Sequence, residues 1–189
     1  SGGATDVAEV FSTYLYTGTA ANQTITNGID LAGEGGMVWI KPRNSATHHK
    51  LADTERGANK LLFSNDTVAE STQANTITGF NNNGFSLGVG ATADFNDVNR
   101  SGKTYASWTF RKKSGFFDCL TYTGNQSIRT ISHGLDSPVG MLICKRTDTG
   151  GEWYVQHKDV APNKELALQS TNGLPSSTTN STFNNTAAT

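Results

Sequence analysis

The sequence says nearly the same thing twice. YTGTAANQTITNGIDL runs from Tyr16 to Leu31, and YTGNQSIRTISHGLDS from Tyr122 to Ser137. Tyr16 and Tyr122, Thr24 and Thr130, and Gly28 and Gly134 all stand 106 positions apart. Solenoid repeats have periods of roughly 20–50 residues, and a period this long is about one small domain. The repeat therefore predicts a duplicated domain, not a stacked array.

The same order of segments follows in each copy. VFSTYLY (10–16) reads as a strand by its β-branched and aromatic content, and FFDCLTY (116–122) as its counterpart. TITNGIDL and RTISHGLD each make a short strand ending in a turn pair. MVWIK (37–41) is matched by MLICK (141–145), where the offset falls to 104. Further on, HHKLADTERGANKLLFSN (48–65) pairs with EWYVQHKDVAPNKELALQST (152–171), each leading through Asn-Lys into an apolar strand. GFNN (79–82) pairs with TFNN (182–185). Helical periodicity is absent; ADTERGANKLLF holds at most one turn, with Asp53 and Thr54 as caps and Gly57 as a stop.

The copies part at the end. The first runs on through GFSLG to TYASWTFRK (104–112), with Ala106, Trp108 and Phe110 on one face and Tyr105, Ser107 and Thr109 on the other. That alternation is the clearest half-buried strand in the chain. The second copy has no counterpart of it before Thr189, which predicts an uncovered core face and an open sheet edge there. About 30 further residues, or a strand from another chain, would complete it. Together with the opening SGG, this reads as a segment of a longer polypeptide.

Short strands at roughly 8–12-residue spacing, divided by Gly, Asn and Asp turns, indicate an all-β fold. The expected organisation is a flexible lead-in over 1–9, a small antiparallel, jelly-roll-like β-sandwich over 10–113, and a second, truncated one over 114–189. With 15 basic and 16 acidic side chains, no excess charge attracts nucleic acid. No run approaches the ~18 apolar residues of a membrane span.

Few residues suggest chemistry. His48, His49, His133 and His157 show no metal-ligand spacing, and His133 replaces Asn27 as a turn residue. DTERG (53–57) reads as a surface ion pair, since its counterpart lacks the Glu. Asp94, Asn96, Asp97 and Asn99 offer hard oxygens in a calcium-like loop, but without the Gly and closing Glu of an EF-hand it reads as a solvated loop. Cys119 and Cys144 stand where the first copy has Thr13 and Ile40, so they read as buried free thiols. Trp39 and Trp108 read as core. Trp153 and Tyr154, beside a Gly-Gly loop, are the candidates for surface recognition. No catalytic, cofactor or metal site is expected.

FSTYLYTG, TITNGIDLAGEGGMVWIKPR, DTERGANKLLFSN, YASWTFRKKSGFFDCLTYTG and KRTDTGGEWYVQHKD together resemble a tandem domain of unknown function from large virion proteins of marine bacteriophages, cyanophages especially. The resemblance covers nearly the whole chain. It implies a non-enzymatic module of a tail fibre or appendage, located in the virion, that presents loops for host attachment. Implied partners are other virion subunits, copies of itself in a homo-oligomer, and host-surface glycans. A capsid decoration or spacer module is the alternative, and a carbohydrate-active tail enzyme would need two carboxylates facing one cleft.

Overall fold

A computed structural model describes residues 5–90, 94–161 and 164–171. Within the lead-in the Asp6 side chain accepts from the Ala8 N–H and caps one helical turn, α1 (Val7–Val10), which buries Val10. The chain then extends into β1 (Phe11–Thr17). There follow β2 (Gln23–Thr26), a second capped turn α2 (Leu31–Glu34), β3 (Gly36–Pro42), β4 (Lys50–Asp53), β5 (Lys60–Phe63) and β6 (Ser71–Thr72). A hairpin of β7 (Ile77–Asn81) and β8 (Gly84–Leu87) leads through a 3-10 turn at Asp94–Asn96 to β9 (Thr104–Arg111). The sequence-predicted strands at 10–16, 37–41 and 104–112 are all present; β4 and β6 are additional.

The fold is all-β, and every ladder is antiparallel. A six-stranded sheet in the order β1-β9-β3-β4-β5-β6 packs on a three-stranded sheet, β2-β8-β7. Val38, Ile40 and Phe63 from the first meet Ile25, Phe85 and Leu87 from the second, and none is more than 2% exposed. β9 joins this sandwich with its faces reversed from the hydrophobic expectation. Tyr105, Ser107 and Thr109 point into the core, while Trp108 and Phe110 lie on the outer face. The inward hydroxyls are satisfied: Tyr105 donates to Asp97 Oδ1, Ser107 to the Tyr14 carbonyl, and Thr109 accepts from Asn27 Nδ2.

The second copy is a three-stranded sheet among the described residues: β10 (Met141–Lys145), β11 (Trp153–His157) and β12 (Leu166–Ala167). It repeats β3-β4-β5 in strict register. Met37↔Asp53 becomes Met141↔His157, Lys50↔Phe63 becomes Tyr154↔Ala167, and Leu51↔Leu62 becomes Val155↔Leu166, each partner moved by 104 positions. FFDCLTY and RTISHGLD, expected as strands, are not strands here. The first copy shows why. β1 pairs only with β9 and β2 only with β8, and neither partner has a counterpart among the described residues of the second copy. The segment TFNN (182–185) lies outside the described residues.

Turn chemistry is also repeated. Asn27 Oδ1 accepts from the Ile29 N–H at 3.2 Å, and His133 Nδ1 accepts from the Leu135 N–H at 3.2 Å. His133 therefore serves as a turn residue, in the place of an Asn.

Candidate functional site

Trp39 and Trp108 are directly opposed across the β3–β9 ladder. Side chains of opposed residues share a face, and here it is the outer one. The indoles meet edge to face, with centroids 6.0 Å apart and planes at 66°. Phe110 lies one step along, packed against Phe11 at 5.0 Å and Phe117 at 5.4 Å. Trp39, Trp108 and Phe110, with Lys41 and His49, line an open groove of about 270 Å3. Both tryptophans are half-buried, where the sequence suggested core. The signal that could have found them is the polarity of the opposite face: Ser107 and Thr109 carry their own hydrogen-bond partners and can go inside.

The two polar residues of the groove are held differently. Lys41 Nζ donates to the Ser45 and Thr47 carbonyls, each at 3.2 Å, which fixes the ammonium at the groove edge. The His49 pKa is lowered by burial, and further by the cations of Lys41 and Lys50. A neutral imidazole offers one donor and one acceptor. Trp39 Nε1 has no acceptor among the described residues. The arrangement is apolar ring surface with one fixed cation and one neutral imidazole, suited to stacking and hydrogen bonding of a neutral polar ligand.

Trp153 is not at the surface. It is 4% exposed and packs with Leu51 and Leu62 on the outer face of the first copy's sheet. Its indole N–H donates to the Phe63 carbonyl at 2.8 Å and the Asp66 carbonyl at 3.0 Å. The neighbouring loops join too, through Glu70 N–H to the Thr147 carbonyl and Gly151 N–H to the Thr67 carbonyl. Trp153 corresponds to His49 at the 104 offset, and the substitution turns a groove residue into a peg. Tyr154 is half-buried on β11. Neither residue lines the groove, although Trp39 also packs against the cluster of Leu51, Leu62 and Trp153.

The other candidates are structural. Arg56 is half-buried, with Asp53 at 2.6 Å and Glu70 at 3.3 Å, so DTERG forms the expected local ion pair, extended to Glu70. Asp97 binds Tyr105 and Arg100 with both oxygens, and Asn99 spans the Ala21 and Gly88 carbonyls; both are fully buried. Their oxygens are spent on the protein's own donors, and the loop from Asp94 is a clamp, not a solvated turn. No group of three His, Cys, Asp or Glu side chains suited to a metal occurs among the described residues. Cys119 and Cys144 are free and half-buried, and burial pushes the Cys119 thiol up to about 12. Lys112, at the junction of the copies, is shared between Glu55 at 2.9 Å and Asp118 at 3.2 Å.

No curated protein matches the chain, and no solved structure does. One family does match, over residues 6–189, so that a single match spans both repeats. The chain belongs to the DUF7483 family, a domain of unknown function.

Proposed function

We propose that the chain is a non-enzymatic structural and adhesion module of a bacteriophage virion protein, in a tail fibre or appendage, and that its first repeat offers the Trp39–Trp108 groove to a host-surface glycan. The observation that carries this reading is the groove itself. Half-buried indoles held on a sheet face give a rigid stacking surface for the C–H face of a sugar ring. Lys41 and His49 stand at its edge to bond hydroxyls. The sequence resemblance to marine phage virion proteins supplies the setting. Joining of the two copies through Trp153 favours a second reading, a spacer module that only sets distance.

Binding of the purified chain to envelope glycans of the host bacterium tests the two. The adhesion reading expects saturable binding that weakens about tenfold, the order of 1.4 kcal/mol, in Trp108→Ala, with the fold retained. Binding unchanged by Trp108→Ala overturns the groove. No binding to any envelope fraction overturns adhesion and leaves the spacer.

A further inference from the structure

The second copy's sheet has an open edge where the first copy's sheet has β9. In the first copy β3 lies between β4 and β9. In the second, β10 repeats β3 and pairs with β11, but no strand among the described residues pairs with its other side. The backbone groups on that side can be named. Lys158 N–H donates to the Gly140 carbonyl at 2.9 Å, as Thr54 N–H donates to the Gly36 carbonyl at 3.0 Å, so both glycines face the inner partner. Alternation along a strand then turns the N–H and C=O groups of Met141, Ile143 and Lys145 to the free edge. Their counterparts Met37, Trp39 and Lys41 stand opposite Phe110, Trp108 and Ala106 of β9.

The face beside that edge is open too: Val38 and Ile40 are covered by the β2-β8-β7 sheet, which has no counterpart among the described residues of the second copy. Val38 and Ile40 are 0% exposed, while Leu142, at the place of Val38, is 37% exposed. Met141 and Ile143 beside it are 51% and 41% exposed. Three adjacent apolar residues on a strand with one unpaired edge are a ready template for a further strand.

A glycine identifies the occupant. A Cβ on Gly36 would stand 2.1 Å from the Phe110 carbonyl oxygen and 3.0 Å from Arg111 Cα, so β9 can lie against β3 only because this position is glycine. Gly140 is its counterpart at the 104 offset, and a Cβ there would meet nothing within 4 Å. The second copy keeps the clearance, and no strand among the described residues uses it.

We propose that the free edge of β10 is a strand-acceptor site for an extended segment of β9's chemistry. Its aromatic side chains alternate with small hydroxyl-bearing ones, and it pairs antiparallel in the β3–β9 register. Main-chain hydrogen bonds supply affinity and side-chain alternation supplies selectivity, as in other cases of strand addition. The donor is not β9 of another copy, because β9 already has β1 on one edge and β3 on the other.

The test tethers a donor to the full chain: a Gly/Ser linker followed by TYASWTFR at the C-terminus, so that effective concentration replaces intrinsic affinity. Hydrogen exchange is read at Met141, Ile143 and Lys145, with Met37, Trp39 and Lys41 as an internal check of the fold. The expected result is slowing by about tenfold or more at the three β10 amides. Gly140→Val, which fills open space in the free chain, is expected to abolish that slowing and leave the β3 amides protected. Unchanged exchange with the tethered donor overturns the proposal. So does equal protection by a donor of the same composition with its alternation scrambled, or protection that survives Gly140→Val.

Discussion

Lys50 shows how much a single side chain can set. It is fully buried between the sheets, with Thr47 Oγ1 3.4 Å from its Nζ. Burial lowers its pKa from 10.5 to about 8, against the upward pull of Asp97 and Asp94. A lysine whose folded pKa lies below its unfolded one costs stability while both states hold the proton, and the cost fades as pH rises through the folded value. Lys50's own contribution to the unfolding free energy is therefore expected to rise by about 2 kcal/mol between about pH 8 and pH 10, read as the difference between the wild-type chain and Lys50→Met in urea titrations across that range; equal pH slopes in the two would overturn it. The raised Cys119 thiol acts in the opposite direction over the same range. The buried tyrosines oppose it too. Burial holds the Tyr16 and Tyr105 hydroxyls well above their usual value, so the folded chain keeps protons that the unfolded chain releases. None of this was legible in the sequence, where Lys50 follows two histidines in a polar run. The same holds at Trp108 and Trp153. Their residue types suggested one core ring and one exposed ring; the structure leaves the first half-buried and buries the second. A ring's environment depends on which sheet face the neighbouring copy covers, and alternation does not encode that.

At the scale of elements the sequence was more informative. Strands with a partner inside their own copy could be recognised by alternation and turn residues: β1, β3, β5, β9 and β10 fall where those signals put them. FFDCLTY and RTISHGLD carry equal signals and stay irregular, because propensity describes a strand's fitness and a ladder needs a second strand. β4 escaped notice since KLAD has no β-branched or aromatic residue and follows two histidines in a polar run. The matching registers of β3-β4-β5 and β10-β11-β12 allow a direct comparison of identical architecture with and without neighbours. Native-state hydrogen exchange should find β10–β12 opening at a free energy lower than β3–β5 by at least about 1 kcal/mol. Equal protection in the two sheets would mean that the flanking strands add no stability.

At the scale of the molecule the two copies are unequal partners: one is a closed sandwich, and the other leans on it through Trp153. Trp153→Ala removes the ring from between Leu51 and Leu62 and leaves the Phe63 and Asp66 carbonyls without their donor. The expected cost is about 3–5 kcal/mol, with denaturation splitting into two steps and the smaller sheet melting first. Fluorescence and circular dichroism that still report one shared transition would argue against the peg. The closed copy also carries a consequence of how its larger sheet is threaded. Phe11 is matched to Phe110, so the first strand synthesised waits for nearly the last before it can pair. On a ribosome, β1 emerges long before β9 exists, and the sandwich forms late and all at once. Nascent chains growing side by side could exchange their late strands in that interval.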